Sequence, residues 1–158
     1  MKLASPTTYL LTGLTALVAV AVAYVSQHRF GMEPCPWCVL QRLIFIVIGV
    51  LGVLGWLSRP RAVHRASGAL MVLAGAAGLA AALYQHFVAA QSSSCNLTLA
   101  DRIVSSTLHL DKLWPDLFEV RASCADAAVK LLGVSYDFWS AALFLALAAA
   151  AFWAWRRS

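Results

Sequence analysis

Four long apolar stretches dominate this chain and leave little room for any other kind of fold. They run from Tyr9 to Val25, from Val39 to Leu57, from Gly68 to Val88 and from Tyr136 to Trp155. A helix needs about 20 mostly apolar residues to cross a bilayer. Only 12% of the 158 residues are charged, about half of what a soluble domain carries. The sequence therefore predicts an all-α membrane protein, a bundle of four transmembrane helices in one domain over residues 1–158.

One side of the predicted bundle carries basic residues with no acidic residue among them, which predicts the orientation of the bundle. The basic residues on one side are Lys2, Arg59, Arg61, Arg65, Arg156 and Arg157, and all seven acidic residues fall on the other side. Cytoplasmic loops are enriched in Lys and Arg, so both termini are predicted to be cytoplasmic. The loops over residues 26–38 and 89–135 then face outward. The net charge of +5 thus reflects membrane orientation and does not indicate nucleic-acid binding.

The N-terminus allows one other interpretation. Lys2, the apolar run after it and Ala21-Val22-Ala23 loosely match a cleavable signal peptide. The run is long for the 7–15 apolar residues of such a peptide, which argues against cleavage. Removal of this segment would leave three spans and would not change the side of the membrane on which the cysteines are predicted to lie.

Four cysteines in two pairs are the candidate catalytic residues. Cys35 and Cys38 form a Cys-x-x-Cys, a two-electron redox unit, and Cys95 and Cys124 lie in the long outer loop. The outer face of a bacterial membrane is oxidising, which favours disulfides over a metal site. Zinc sites also usually need a second close-spaced pair, whereas Cys95 and Cys124 are far apart in the chain. Two static structural disulfides, or a four-cysteine metal site, are the alternatives.

The residues around Cys38 predict an activated thiol. Pro36 suits the first turn of a helix, which places Cys38 where the positive helix end favours a thiolate. Arg42 lies four residues on and shares its helix face. An arginine in a span is costly, so we predict that Arg42 supplies a cation to the sulfur or a donor to a ligand; snorkelling to the headgroups is the alternative. His86 is a candidate ligand-binding residue, and Gln41 is expected to face away from Cys38.

The long outer loop carries helical patterning. Leu99, Ile103, Val104 and Leu108 recur at helical spacing beside charged residues. This pattern predicts one or two short amphipathic helices that lie in the membrane interface. A loop helix that simply covers the bundle would show the same pattern, and the two interpretations are compatible.

Nearly the whole chain resembles the disulfide-bond-formation protein B (DsbB) family of bacterial inner-membrane oxidoreductases. The resemblance rests on the order of four spans, two cysteine pairs and an arginine four residues after the Cys-x-x-Cys. The matching segments are Gln27-His28, Pro34-Cys35-Pro36-Trp37-Cys38 with Arg42, Tyr84-Gln85-His86, Leu110-Asp111-Lys112 between Cys95 and Cys124, and Leu132-Gly133.

The resemblance implies an electron path from a periplasmic thioredoxin-fold protein of the DsbA type to membrane quinone. The reduced partner attacks a Cys95–Cys124 disulfide at Cys95, and the released Cys124 exchanges with a Cys35–Cys38 disulfide at Cys35. Cys38 is left as a thiolate beside ubiquinone, or alternatively menaquinone, and passes the electrons on while Arg42 stabilises the developing charge. Disulfide formation in exported proteins is thereby sustained. The resting partner of Cys35, Cys38 or Cys124, stays open.

Two other functions compete with this one. A vitamin K epoxide reductase-like protein also combines a helical bundle, a Cys-x-x-Cys and quinone chemistry, but its Cys-x-x-Cys follows the loop cysteines, and here it precedes them. A non-enzymatic scaffold with structural disulfides or a bound metal would leave the cysteines inert to a soluble dithiol and Arg42 freely replaceable.

Overall fold

Four long helices form the body of the protein. The computed structural model describes residues 4–58, 60–91 and 99–157. The helices are α1 (Ala4–Phe30), α2 (Pro36–Leu57), α3 (Arg61–Phe87) and α7 (Tyr136–Arg157). All four are long and apolar enough to cross a membrane, so the predicted four-helix membrane fold is confirmed and the chain is a multi-pass membrane protein. Each helix extends beyond the apolar stretch that predicted it, except where α3 ends one residue sooner.

The helices pack side by side in chain order. α2 packs between α1 and α3, α3 packs extensively on α7, and the contact between α1 and α7 is the weakest of the four. At the centre the Phe45 and Phe144 rings stack, with centroids 4.0 Å apart. The bundle is therefore tight on three sides and looser between its first and last helices.

Close approach of α1 and α2 depends on two glycines. A Cβ at Gly52 would lie 2.6 Å from the Gly13 Cα and 2.7 Å from the Tyr9 carbonyl oxygen. Small residues let helix backbones approach in this way, and van der Waals packing then holds membrane helices together. On the other side of the bundle, a Cβ at Gly78 would overlap the Phe144 ring.

The start of α2 is built from the Cys-x-x-Cys sequence. Cys35 is the N-cap residue, and its sulfur accepts a hydrogen bond from the Cys38 backbone N–H at 3.3 Å. Pro36 occupies the first turn, where its missing N–H leaves no intrahelical bond unmade. Cys38 thus lies in the first turn of the second long helix, as predicted.

Short elements cover one end of the bundle. They are a 3₁₀ turn (Ala89–Gln91), α4 (Leu99–Asp101) with a π-helical continuation (Arg102–Thr107), α5 (Leu110–Leu113) and α6 (Pro115–Phe118). The helical segment predicted near Leu99 is present, and α4 packs on α2. Val104 is buried while Leu99 and Leu108 are exposed. The segment therefore covers the bundle with one face and presents apolar side chains on another.

A small hairpin precedes α7. β1 (Lys130–Leu131) pairs antiparallel with β2 (Val134–Ser135). Leu132 and Gly133 form the turn with φ values of 54° and 82°, and two consecutive positive φ angles are typical of a two-residue hairpin turn. Trp139 on α7 donates from its indole nitrogen to the Leu131 carbonyl at 3.2 Å, which ties the hairpin to the helix that follows it.

Candidate active site

Three cysteines meet at the loop-covered end of the bundle, which we call the cysteine end. The Cys35 and Cys38 sulfurs lie 2.7 Å apart, and the Cys35 thiol also hydrogen-bonds the Cys124 sulfur. The Arg121 backbone N–H donates to the Pro34 carbonyl at 3.0 Å and seats the Cys124 segment against the Cys-x-x-Cys. Cys35 is thus the middle sulfur of three. Cys95 lies outside the described residues.

The surroundings of Cys35 and Cys124 shift the pKa values of the two thiols in opposite directions. Hydrogen bonds from Cys35 to the Cys124 and Cys38 sulfurs, together with burial, raise the pKa of Cys35 far above its ordinary value. The same bond from Cys35, joined by one from the Trp37 backbone N–H, lowers the pKa of Cys124 against the opposing effects of burial and Asp137. In the reduced protein these contacts therefore favour the thiolate on Cys124, with Cys35 as its hydrogen-bond donor.

A cavity of about 360 Å³ lies next to Cys38, between α1 and α7. Its walls are mostly apolar and include Val18, Val22, Phe45 and Leu143. Two of these wall residues, Val18 and Val22, are 59% and 54% exposed, so the cavity is open to the outside of the bundle where α1 and α7 meet least closely. The volume falls in the range of small-molecule sites. Of the three described cysteines, Cys38 lines this cavity, while Cys35 and Cys124 do not.

Arg42 is buried beside the cavity and is held by hydrogen bonds in three directions. Its Nη1 donates to the Gln27 Oε1 at 2.8 Å and to the Leu117 carbonyl at 3.0 Å, and its Nη2 donates to the Ala23 carbonyl at 3.5 Å. Gln27 in turn donates to the Asp116 carbonyl at 3.4 Å. Arg42 therefore does not snorkel to the surface; its bonds join α1, α2 and α6.

A second set of polar side chains forms a hydrogen-bond network that joins α2 to α3 and α7. Gln85 Nε2 donates to the Cys38 sulfur at 3.3 Å and to Asp137 Oδ1 at 2.5 Å, and Gln85 Oε1 accepts from Gln41 Nε2 at 2.7 Å. The Ser140 hydroxyl donates to Gln41 Oε1. All five of these side chains line the cavity.

The expected orientation of Gln41 is wrong. Gln41 lies on the same side of α2 as Cys38 and lines the same cavity, because residues three apart on a helix are surface neighbours. It also joins α2 to α3 and α7 through the amide bonds to Gln85 and Ser140.

His86 lies behind Asp137, outside the lining of the cavity. It is not among the described residues that line it. Its Nδ1 lies 3.5 Å from Asp137 Oδ2, and its ring packs against Phe87 and Phe138. His86 thus contacts the cavity wall through Asp137, and its role as a ligand-binding residue stays a prediction.

Sequence reasoning missed the importance of Asp137 and Gln85. Asp137 is 3% exposed and Gln85 2%. The rule that singled out Arg42, that an ionisable residue within an apolar span is functional by default, applies equally to Asp137 at the start of the fourth predicted stretch. The same rule, applied to every span, would have identified Asp137. It does not apply to Gln85, because an amide side chain is not ionisable.

A four-helix membrane bundle that brings three thiols into contact beside an apolar cavity defines a membrane-embedded thiol–disulfide oxidoreductase. The family model described as disulfide bond formation protein DsbB matches residues 5–154. Curated relatives called disulfide bond formation protein B include one from Stutzerimonas stutzeri, 30% identical across 97% of this chain and 96% of its own length. Another, from Marinobacter nauticus, is 34% identical across 84% and 82%. A third, from Nitrosomonas europaea, is 27% identical across 94% and 92%.

The chain belongs to the DsbB family. The resemblance inferred from the cysteine pairs and Arg42 is confirmed, and with it a role in disulfide bond formation.

Proposed function

We propose that this protein reoxidises a periplasmic DsbA-type thioredoxin-fold dithiol protein and passes the electrons to membrane quinone. The observation that carries the proposal is the order of contacts Cys124–Cys35–Cys38–cavity. An electron pair delivered to Cys124 as a thiolate can reach the cavity by a single exchange between touching sulfurs, in which Cys124 attacks Cys35 and Cys38 is released. The curated relatives share the name of disulfide bond formation proteins, which supports the direction of this chemistry.

The exchange begins in the outer loop. The thiolate of the reduced partner attacks the Cys95 sulfur of a Cys95–Cys124 disulfide, so that a mixed disulfide forms and the electron pair leaves on Cys124. The lowered pKa of Cys124 supports it as leaving group here and as nucleophile in the next step, because exchange is fastest from a thiolate with a good leaving group.

Cys124 then attacks the Cys35 sulfur of a Cys35–Cys38 disulfide. The Cys124–Cys35 bond forms, the Cys35–Cys38 bond breaks, and the electron pair leaves on Cys38, the cysteine that lines the cavity. The first turn of α2 favours this charge, since the exposed N–H groups and the positive dipole end lie beside it. The second thiolate of the partner attacks the partner's own sulfur in the mixed disulfide, so that Cys95 leaves as a thiolate and the partner departs oxidised. Cys95 then attacks Cys124 of the Cys124–Cys35 disulfide, which restores the Cys95–Cys124 bond and releases Cys35. The Cys35–Cys38 dithiol then holds the two electrons and two protons that a bound quinone would accept.

The residues of the cavity fit a quinone. Three of the five Arg42 N–H groups are engaged within the described part of the chain, which leaves two to donate to a carbonyl oxygen. Phe45 and Leu143 provide apolar walls for a ring, and the opening between α1 and α7 suits an isoprenoid tail in lipid. When bound, ubiquinone or menaquinone supplies the oxidising power by taking up two electrons and two protons.

The same proposal includes the orientation in a bacterial inner membrane. Arg61 and Arg65 begin α3 and Arg156 and Arg157 end α7, at the end opposite the cysteines. The excess of positive charge at cytoplasmic ends supports cytoplasmic termini and a periplasmic cysteine end, on the side of the membrane where disulfides persist.

Quinone reduction by the purified protein tests the proposal. Reduced DsbA-type partner is mixed with ubiquinone and either the wild type, Cys38→Ser or Cys124→Ser, and quinone absorbance is followed. Both variants should lose partner-driven reduction. Cys124→Ser should still reduce quinone when a small soluble dithiol replaces the partner, whereas Cys38→Ser should not.

Two outcomes would overturn the proposal. Retained turnover in Cys38→Ser would remove Cys38 from the electron path. Failure of the wild type with both ubiquinone and menaquinone, while the partner stays reduced, would point instead to structural disulfides.

A further inference from the structure

Gln85 holds the one side-chain amide that contacts a cysteine sulfur among the described residues. We propose that Gln85 is a catalytic hydrogen-bond donor to the Cys38 sulfur and that Asp137 is a positioning residue that keeps the Gln85 amide in its donating orientation. The inference rests on the proposed function, in which Cys38 leaves the disulfide as a thiolate. It assigns the stabilisation of that sulfur to α3 and α7 as well as to the N-terminal turn of α2.

The amide of Gln85 has partners on every side. Its nitrogen lies 3.3 Å from the Cys38 sulfur and 2.5 Å from Asp137 Oδ1, so each of its two N–H groups has an acceptor. Its oxygen accepts from Gln41. Buried amides that satisfy all their bonds are held in one geometry, because an unmade bond in such a place costs about 1–3 kcal/mol.

Asp137 determines which end of the Gln85 amide faces the sulfur. An ionised carboxylate only accepts hydrogen bonds, so the amide nitrogen must face Asp137, and the same nitrogen then reaches Cys38. The reverse orientation would set the Gln85 oxygen against the carboxylate oxygen and remove the donor from the sulfur. Ser135 donates to Asp137 Oδ2 at 3.2 Å and His86 faces the same oxygen, which holds the carboxylate in place.

Arg42 does not replace this donor. Its guanidinium is bonded to Gln27, Ala23 and the Leu117 carbonyl, on the α1 side of the cavity. It contributes positive charge to the cavity through space. A donor that points at the sulfur before charge develops there stabilises the leaving thiolate without rearrangement, which is how fixed dipoles accelerate such steps.

Asp137 has two opposite effects on Cys38, and this makes the inference testable. Its negative charge disfavours a second negative charge on the nearby sulfur. Its hold on Gln85 favours that charge by presenting an N–H group to it. If Asp137 acted only through its charge, a neutral replacement would increase the fraction of Cys38 present as thiolate. If it acts by positioning Gln85, the same replacement decreases that fraction.

The test uses the full-length chain with Cys38 as its only cysteine, purified without quinone. The thiolate fraction is read at pH 7 from thiolate absorbance near 240 nm and from the rate of alkylation by iodoacetamide. Gln85→Met, which keeps the size and removes the donor, should lower both by about tenfold, the usual effect of one hydrogen bond to a charged group. Asp137→Leu, which has a similar size but no acceptor for the Gln85 N–H, should also lower them, although it removes a negative charge.

A double variant separates the two effects. In the Gln85→Met background no amide is left to position, so Asp137→Leu should now raise the thiolate fraction. An increase on Asp137→Leu in the presence of Gln85, or no decrease on Gln85→Met, would overturn the inference. Asp137→Leu is close in size to the natural residue, and its far-ultraviolet circular dichroism should match the wild type, so the sign of its effect can be read even if Gln85→Met folds poorly.

These measurements need neither quinone nor a soluble partner. A chain that shows the expected shifts but reduces no quinone would therefore refute the proposed function and keep the inference. If the wild type reduces quinone but the variants leave the thiolate fraction of Cys38 unchanged, the proposed function is kept and the inference is refuted.

Discussion

The two ends of the bundle are held together in different ways. The cysteine end buries polar side chains joined by directional bonds, which are Gln27, Gln41, Arg42, Gln85 and Asp137. The opposite end buries Tyr9 against Gly55 and Gly68, and brings α1 and α2 into backbone contact at Gly13 and Gly52. Close packing at one end holds the helices together, while hydrogen bonds at the other fix where individual atoms point. Mutations at the two ends should therefore separate stability from chemistry.

The largest effect on function should come from Arg42→Ala at the cysteine end. The substitution removes a buried cation and its bonds to α1 and to the Leu117 carbonyl. In the proposed function Arg42 also donates to a quinone carbonyl, and loss of a hydrogen bond from a charged group, about 1.5–3 kcal/mol, should raise the KM for quinone by about 10- to 100-fold. Arg42→Lys, which keeps the charge but not the planar fork, is the matched control and should recover part of the loss. A KM equal to that of the wild type in Arg42→Ala would remove Arg42 from the quinone site.

Gly52→Ala tests the opposite end. The new methyl group would meet the Gly13 backbone, and overpacking of this kind costs about 1–3 kcal/mol. We expect a lower free energy of unfolding in detergent, with an unchanged KM for quinone in the folded fraction. Ala76→Val, which adds more volume on the exposed face of α3, is the control and should change stability little. A selective rise in KM on Gly52→Ala would contradict the division between the two ends.

The thiol pair at the cysteine end gives a smaller, pH-dependent effect. Because donors from Cys35 and Trp37 lower the pKa of Cys124, its alkylation in the reduced protein should stay fast as the pH falls below the ordinary cysteine value of about 8.5. Cys35, with its raised pKa, should react far more slowly at the same pH. Mass spectrometry of the alkylated peptides distinguishes the two.

Two replacements of Cys35 sharpen that comparison. Cys35→Ser keeps a hydroxyl donor and should leave Cys124 reactive at neutral pH, whereas Cys35→Ala removes the donor and should move its reactivity toward alkaline pH. Equal profiles in the two variants would show that Cys35 does not donate to Cys124.

His86→Gln should have the smallest effect. The His86 side chain is 29% exposed and its Nδ1 lies 3.5 Å from Asp137 Oδ2, and even a charged contact with a partly exposed partner contributes only about 0–1 kcal/mol. We expect a change in quinone KM of less than about fivefold, since Ser135 still holds the carboxylate. A loss as large as that of Arg42→Ala would show that His86 itself contacts the ligand.

The fold was predictable from sequence because spanning helices are long and apolar, and the four stretches were found. The ends of the helices were less predictable, because residues such as Gln27 and His28 lower the hydropathy although α1 continues to Phe30. The β1–β2 hairpin was not predicted, because two-residue strands leave no alternation to detect. At the site, the link between Gln85 and Asp137 joins residues 52 positions apart, and only the packing of α3 on α7 brings them together.

The bonds of Arg42 have a consequence for how the loop and the cavity influence each other. One guanidinium holds the Leu117 carbonyl of the loop and also faces the cavity. Under the proposed function, a ligand that drew Arg42 toward itself would weaken the bond to α6, and a partner that displaced α6 would release Arg42 toward the ligand. By thermodynamic linkage, the factor by which ligand binding changes affinity for the partner equals the factor by which the partner changes affinity for the ligand. In that case a single side chain would couple occupancy of the cavity to the position of the loop that covers it.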